Sequence, residues 1–199
     1  MLGRLGGRIM ARHSGPVHDW GLGLLNLVAE DRILDVGCGP GIALAMAGDL
    51  AREGHVVGVD SSPVMVAQAR RRNRAAVAAG RVAVRSGDVA SLPSPPGAFT
   101  AAYSANCLPF WLSRSCGLAE LRRVLRPGGG MVLVVRMHRE DVSPANPSAR
   151  GFTEDQLERL VSDVRHSGFG PVVVHRRQWP RETTAAVLAS GRRAGDRPG

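Results

Sequence analysis

The stretch Ile33-Leu34-Asp35-Val36-Gly37-Cys38-Gly39-Pro40-Gly41 decides how this chain folds. Its first residues are mainly aliphatic, which predicts a strand that is buried on both faces. Three glycines at alternate positions then remove side chains where the backbone must turn and where a ligand must come close. The segment from Ile42 to Arg52 is rich in alanine and leucine, which favour a helix. Strand, glycine turn and helix in this order predict the first unit of a nucleotide-binding α/β sheet.

The spacing of the glycines indicates which nucleotide is bound. The dinucleotide fingerprint G-x-G-x-x-G brings the backbone close to a pyrophosphate, whereas this chain has G-x-G-x-G with Asp35 just before it. A carboxylate at that point would repel a diphosphate, but it can accept a hydrogen bond from an ammonium group. The motif therefore favours a ligand with an amino-acid end and no phosphate. The alternative is a tight turn between strand and helix that binds nothing.

This motif, Asp35-x-Gly37-x-Gly39-x-Gly41, resembles motif I of the class I methyltransferases that use S-adenosylmethionine (SAM). SAM has an amino-acid end and no phosphate. The resemblance implies SAM as cofactor, S-adenosylhomocysteine as its product, and a first group of cofactor-binding residues: Asp35, Gly37, Cys38, Gly39 and Gly41.

Two further acids follow in the order that this family leads one to expect. The second predicted strand, from His55, ends at Asp60, and an acid about 20 residues past a glycine turn is placed to bind two ribose hydroxyls. A serine cap and a proline then predict the next helix. After the third strand, Asp88 and Val89 resemble the family residues that meet the adenine. Ser61, Asp88 and Val89 therefore join Asp60 as predicted cofactor contacts, although each acid alone is also an ordinary residue for a strand end or turn.

The acceptor is expected beyond the fourth strand, which begins at Phe99 and ends at Ser104, because open α/β sheets bind ligands at the carboxyl ends of their strands. Ser104 is a predicted cofactor contact, and Asn106 is a predicted hydrogen-bonding partner of the acceptor or of the cofactor. Phe110 and Trp111 form either an apolar wall of the site or a packing contact of the next helix. His138, at the end of the fifth strand, is either a general base or a surface residue.

Residues 1–31 precede the first strand and are predicted to form a lid or helical segment. It contains His13, His18 and Trp20. The helical spacing of the apolar residues favours a core position for Trp20. The two histidines either contact the acceptor or belong to a packed helix, and His18 is a candidate catalytic residue. His13-Ser14, Trp20-Gly21-Leu22 and the Phe-Trp pair resemble short bacterial proteins of the ubiquinone/menaquinone-methylase-like group.

The run L-R-R-V-L-R-P-G-G at residues 121–129 resembles a second hallmark of small-molecule class I methyltransferases. The family fold implied is an α/β, Rossmann-like, doubly wound sheet of seven strands in the order 3-2-1-4-5-7-6, with strand 7 antiparallel. We therefore expect a SAM-binding domain over residues 32–190 and a disordered tail over residues 191–199.

Composition narrows the remaining possibilities. The chain has 199 residues, enough for one domain with a substantial core. Its three cysteines have no metal-ligand spacing, so no metal site is predicted and a reduced, cytoplasmic setting is the simplest. No run is long enough for a membrane span. The net charge is +9, and every basic residue is arginine. The arginine run at residues 70–74 is either a phosphate-binding patch or the solvated end of a helix.

The resemblance implies in-line transfer of the methyl group of SAM to a small, rather apolar molecule, by a monomer or a homodimer. The sulfonium is already activated, so a base is needed only if the acceptor must lose a proton. Two alternatives remain open at this point: an RNA or DNA methyltransferase that uses the arginine-rich surface, and a SAM-binding module without catalytic activity. An NAD-dependent oxidoreductase is disfavoured by the glycine spacing. The sequence leaves open which acceptor atom receives the methyl group.

Overall fold

Seven strands form a single mixed sheet in the order β3-β2-β1-β4-β5-β7-β6. The computed structural model describes residues 15–139, 151–180 and 182–190. Within these ranges, β7 runs antiparallel to the other strands of the sheet, so the predicted fold and strand order are confirmed. The strands are β1 Arg32–Val36, β2 His55–Asp60, β3 Val82–Ser86, β4 Phe99–Ala105, β5 Leu125–Arg136, β6 Val172–Trp179 and β7 Glu182–Ser190.

The helices connect the strands and cover both faces of the sheet, which gives two layers of buried side chains. A short 3₁₀ turn, Leu108–Phe110, follows β4. Within the described ranges, no helix is both long and apolar enough for a membrane span. The helices are α1 Gly15–Gly23, α2 Ile42–Leu50, α3 Pro63–Arg72, α4 Arg74–Ala78, α5 Arg114–Val124 and α6 Glu154–His166.

The strand β1 lies in the middle of the sheet, between β2 and β4, and its last four residues are buried. This position explains its aliphatic composition, because a central parallel strand is covered on both faces. The parallel strands β1, β2, β4 and β5 all end at the same edge of the sheet. Since β7 is antiparallel to β5, it begins at that edge. This edge is therefore where the loops that carry function converge.

The predicted helix caps are present. The side chain of Ser62 accepts a hydrogen bond from the backbone N–H of Met65 at the start of α3. The spacing Thr153-x-x-Gln156 predicts a second cap, and these two residues form a reciprocal capping box at the start of α6. These caps satisfy donors that the first helical turn leaves without an intrahelical partner, which is why the sequence located the starts of these two helices correctly.

The sequence placed the beginning of the fifth strand too late. The proline and glycines at residues 126–130 predict a break and the apolar residues from Met131 predict the fifth strand, but β5 begins at Leu125. Leu125 pairs with Phe99 and Gly130 pairs with Ala101, so the register shifts within this segment. An irregularity of this kind accommodates a proline inside a strand. The sequence does not predict the short helix α4, and it predicts shorter final strands, at residues 172–174 and 183–188, than β6 and β7.

Candidate cofactor and acceptor site

A cavity of about 820 Å³ opens at the edge where the parallel strands end. The glycine turn after β1, the end of β2 and the loop after β3 line one half of it. The helix α1, the loop after β4, the end of β5 and the beginning of β7 line the other half. We call these the cofactor half and the acceptor half.

The three glycines of the turn all have positive φ angles, of 69° at Gly37, 53° at Gly39 and 79° at Gly41. Their surroundings differ. A Cβ atom on Gly37 would lie 2.5 Å from Cβ of Cys107, and one on Gly41 would lie 2.6 Å from Nδ2 of Asn73. A Cβ atom on Gly39 would meet nothing within 4 Å. Gly37 and Gly41 are therefore required by packing, whereas Gly39 keeps space in the cavity free.

Residues at the end of α3 hold the glycine turn in place through hydrogen bonds. The buried side chain of Asn73 donates hydrogen bonds to the carbonyl oxygens of Gly41 (3.0 Å) and Ala69 (2.9 Å). Arg72 donates from Nε to the carbonyl oxygen of Pro40 at 3.0 Å. Buried amide groups that bind two carbonyls in this way restrict a loop to one conformation.

The arginine run at residues 70–74 is partly engaged in holding the fold together. Arg70 donates from Nε and Nη2 to the carbonyl oxygen of Val84, at 3.1 and 2.8 Å. Together with the bond from Arg72 to the glycine turn, this contact gives two of the arginines a structural role. That favours the interpretation of the run as a helix end over a patch for phosphates.

Asp60 is fixed at the cavity wall by two backbone donors. Its Oδ2 accepts a hydrogen bond from Gly39 N at 2.8 Å, and its Oδ1 accepts one from Ser62 N at 2.9 Å. Each carboxylate oxygen can accept more than one hydrogen bond. Asp60 therefore holds the glycine turn in place and retains capacity to bind hydroxyl groups of a ligand.

Asp35 lies beneath the cofactor half instead of lining it. Only 3% of Asp35 is exposed, and Oδ2 has no hydrogen-bond partner among the described residues. Burial, with a smaller contribution from the negative charge of Asp60, raises the pKa of Asp35 to about 8. An unpartnered buried carboxyl is costly unless a cation or a donor approaches it. Its predicted contact with an ammonium group stays a prediction.

Cys107 is a wall residue that the sequence analysis missed. Its Sγ atom donates to the carbonyl oxygen of Val36 at 3.3 Å and accepts a hydrogen bond from Trp111 Nε1 at 3.1 Å. Ser104 Oγ lies 2.8 Å from the same sulfur, and Ser104 is buried. Burial raises the pKa of Cys107 to about 11, so the thiol stays protonated. Ser104 thus positions Cys107 and does not itself line the cavity.

The acceptor half combines aromatic and polar side chains. Trp111 is half-buried and packs against the core, whereas Phe110 is 68% exposed at the rim. Asn106 has a φ of 56°, and its Oδ1 accepts a hydrogen bond from the backbone N–H of Arg136 at 3.0 Å. His18 reaches the cavity from α1, and its Nδ1 lies 3.0 Å from the hydroxyl of Tyr103.

Most of the predicted site residues lie together at the cavity. Asp35, Gly41 and Ser104 do not line it, for the packing reasons given above. His13 lies outside the described residues. His138 is exposed and does not line the cavity, so its geometry lends no support to a catalytic role. The predicted residues that do line the cavity are Gly37, Cys38, Gly39, Asp60, Ser61, Asp88, Val89, His18, Asn106, Phe110 and Trp111.

Besides Cys107, the wall residues that were not predicted from the sequence include Arg136, Phe152 and Glu182. Arg136 ends β5 and Glu182 begins β7, so a systematic reading of strand ends at this edge could have found them. Phe152 is brought in by hydrogen bonds between its backbone and those of Arg136 and His138. Among residues 15–139, 151–180 and 182–190, no group of His, Cys, Asp and Glu side chains could hold a metal ion.

Comparisons with known proteins identify the family. Residues 33–129 match a family described as a methyltransferase domain. The uncharacterized methyltransferase YdaC of Bacillus subtilis is 24% identical over 185 residues, which cover 93% of this chain and 97% of YdaC. The 2-phytyl-1,4-naphtoquinone methyltransferase of Synechococcus elongatus is 33% identical over 132 residues, which cover 66% of this chain and 54% of that enzyme.

A crystal structure of a SAM-dependent methyltransferase from Aquifex aeolicus superposes with a TM-score of 0.70 at 19% identity, and covers 87% of this chain and 88% of that one. This likeness concerns the fold, which has the same seven-stranded architecture. The chain belongs to the SAM-dependent methyltransferases.

Proposed function

We propose that this protein transfers the methyl group of SAM to a small-molecule acceptor bound in the acceptor half of the cavity. The observation that carries the proposal is the continuity of the two halves. One cavity joins the glycine turn and Asp60 to His18, Asn106 and Trp111. Its volume of about 820 Å³ lies within the range of about 300–1,000 Å³ that is usual for ligand pockets.

The residues of the cofactor half fit SAM. The absent side chain of Gly39 leaves open space next to Asp60, whose carboxylate can accept hydrogen bonds from ribose hydroxyls. Asp88 lines the same half, and its Oδ1 accepts a hydrogen bond from Ala90 N at 2.8 Å, which fixes the loop. The unpartnered oxygen of Asp35 is suited to a nearby positive charge. When bound, SAM supplies a methyl group on a positively charged sulfur.

The walls of the acceptor half favour a rather apolar acceptor. Val17, Val135, Trp111 and Phe152 contribute apolar surface there, beside the polar side chains of His18, Asn106, Arg136 and Glu182. The relative from Synechococcus is named for a naphthoquinone, a molecule of this general kind. The protein's task in such a reaction is to hold the acceptor in line with the methyl group and to exclude water, because orientation alone supplies much of the rate acceleration.

The first test is a calorimetric titration of the protein with SAM, S-adenosylhomocysteine and NAD. We expect both sulfur compounds to bind and NAD not to bind. Asp60→Ala should weaken binding of S-adenosylhomocysteine at least tenfold, since hydrogen bonds to a charged group contribute about 1.5–3 kcal/mol. Asp49→Ala is the matched control, because Asp49 is an exposed acid on α2 that does not line the cavity. Failure of both sulfur compounds to bind would refute the proposal.

The second test measures turnover. SAM labelled in its methyl group is incubated with the protein and with a panel of phenols, quinols and carboxylic acids, and label in the product is counted. Methylation of RNA or DNA, with binding that weakens steeply as salt is raised, would instead identify a nucleic-acid methyltransferase. Tight binding of SAM without transfer to any member of either panel would favour a binding module.

A further inference from the structure

The hydrogen bond between His18 and Tyr103 determines which ring nitrogen of His18 carries the proton. Tyr103 is 1% exposed, and its hydroxyl lies 3.0 Å from His18 Nδ1. No other described residue is recorded as a partner of that hydroxyl. A buried hydroxyl proton needs an acceptor. Tyr103 therefore donates to Nδ1, and the ring proton of the neutral imidazole resides on Nε2.

His18 consequently offers a donor to the cavity and not a lone pair. Burial lowers the pKa of His18 to about 4, so the ring is neutral near neutral pH. Its Nε2 makes no hydrogen bond to a described residue, and His18 lines the acceptor half. A ring with the proton on Nε2 cannot accept a proton there. This argues against His18 as the general base that the sequence suggested.

The close approach of α1 to the sheet keeps this pair in place. A Cβ atom on Gly21 would lie 2.8 Å from Cγ2 of Val134 and 2.9 Å from Cε2 of Tyr103. Only a glycine allows the helix to pack at this distance. The imidazole and phenol rings also make an edge-to-face contact, with centroids 5.9 Å apart. The orientation of His18 is thus set by packing as well as by the hydrogen bond.

Two further side chains of the acceptor half offer donors. The side-chain oxygen of Asn106 accepts the hydrogen bond from the backbone N–H of Arg136, which fixes the orientation of the amide. The side-chain NH₂ of Asn106 is therefore available to donate to a ligand. Arg136 Nε forms an ion pair with Glu182 at 2.9 Å, although the N–H direction is unsuitable for a hydrogen bond. The two terminal nitrogens of Arg136 have no recorded partner among the described residues.

We infer that the acceptor presents an anionic oxygen, as in a carboxylate, phenolate or enolate, to the donors of His18, Asn106 and Arg136. Tyr103 is the positioning residue that makes His18 a donor. This inference rests on the proposed function and narrows its substrate class. Charge-assisted hydrogen bonds from several donors favour an oxygen anion over a neutral group.

An anionic oxygen also explains why the cavity needs no general base. The oxygen that enters already ionised uses a lone pair to form the new O–CH₃ bond. The electron pair of the S–CH₃ bond that breaks stays on sulfur, which becomes a neutral thioether. No proton is released in this step, so atoms and charges balance without a proton acceptor.

The first test reads the tautomer of His18 directly and needs neither SAM nor an acceptor. Long-range ¹H–¹⁵N correlation spectra distinguish a protonated Nε2 from a protonated Nδ1, and the spectrum of His18→Gln assigns the signals. We expect the proton on Nε2 in the wild type and a mixture of tautomers in Tyr103→Phe. A proton on Nδ1 in the wild type would overturn the assignment of Tyr103 and His18.

The second test uses 4-nitrophenol as the probe, since its ionised form is coloured and its neutral form is not. The probe is titrated into protein saturated with S-adenosylhomocysteine, whose binding is measured first in the same sample. We expect the bound probe to ionise at lower pH than the free probe, and 4-nitroanisole, which cannot ionise, to bind at least tenfold more weakly. Equal binding of the two compounds, or binding of neither, would overturn the inference.

Substitutions at position 18 test whether His18 acts as a hydrogen-bond donor or as a general base. His18→Gln retains an N–H that can reach the cavity, so it should bind nitrophenolate within about threefold of the wild type, whereas His18→Leu should lose about tenfold. Arg136→Met should reduce the affinity for nitrophenolate at least as much as His18→Leu does. His166→Leu is the control, because His166 is exposed on α6 and does not line the cavity. Unchanged binding in both His18→Leu and Arg136→Met would refute the donor roles.

Discussion

Substitution of the glycines in the turn after β1 should separate stability from cofactor binding. Gly37 and Gly39 both have left-handed φ angles, but a Cβ atom at Gly37 overlaps with Cys107, whereas one at Gly39 points into open space. Gly80 provides a matched control. It has a φ of 72°, its Cβ would also meet nothing within 4 Å, and it does not line the cavity.

The expected magnitudes follow from these contacts. An alanine held in the left-handed region costs about 1–2 kcal/mol, so Gly39→Ala and Gly80→Ala should each reduce the free energy of unfolding by that amount. Gly37→Ala adds the overlap with Cys107, which is overpacking of about 1–3 kcal/mol, and should reduce it by about 2–5 kcal/mol. Only Gly39→Ala places a methyl group in the cofactor half, where it should weaken binding of S-adenosylhomocysteine at least tenfold, or about 1.4 kcal/mol.

Urea unfolding and calorimetric titration of the same three variants test these values. Gly80→Ala should bind S-adenosylhomocysteine as the wild type does, although it is destabilised. If Gly39→Ala binds with wild-type affinity, the space beside Gly39 is not where the cofactor binds. If Gly37→Ala and Gly80→Ala lose the same stability, the contact between the turn and Cys107 is looser than the structure indicates.

Three other predictions concern the buried polar groups around the cavity. Burial and Asp60 raise the pKa of Asp35 from 3.8 to about 8, so the folded state retains a proton that the unfolded state has lost. The free energy of unfolding should therefore fall as pH rises, by up to about 1.4 kcal/mol per pH unit between about pH 6.5 and 8. The lowered pKa of His18 makes the free energy of unfolding rise with pH, but only below that range. Asp35→Asn should abolish the fall with pH in urea titrations. If the fall persists in Asp35→Asn, Asp35 is not the group that causes it. Binding of a cation beside Asp35 should release protons near pH 7, which calorimetry in buffers of different ionisation enthalpy measures; no release would mean that the ammonium group binds elsewhere. Asn73→Ala should reduce the free energy of unfolding by about 1–3 kcal/mol, because it removes a buried amide and leaves the carbonyls of Gly41 and Ala69 without that donor; a loss below about 0.5 kcal/mol in urea unfolding would contradict this.

The cofactor half was largely predictable because its signals are local. A positive φ at Gly37 or Gly39 is a requirement of one residue, and the acid at the end of β2 is located by its distance along the chain from the glycine turn. The strand order was predicted from the resemblance of the whole sequence pattern to the class I methyltransferases. The predicted start of β5 was wrong because the pairing of Leu125 with Phe99 is a long-range contact, and it extends the strand across the proline and glycines at residues 127–130.

By itself, the sequence determined the glycine turn, the acids that follow it and the class of cofactor, since each depends on residue type at short spacing. Only the tertiary structure decided that Asp35 lies beneath the cavity and that Tyr103 binds His18, 85 residues away along the chain. It also placed Arg136, at the end of β5, in an ion pair with Glu182, at the beginning of β7. Burial, pKa and tautomer are properties of a packed environment, and side chains from distant strands create that environment only when the sheet is assembled.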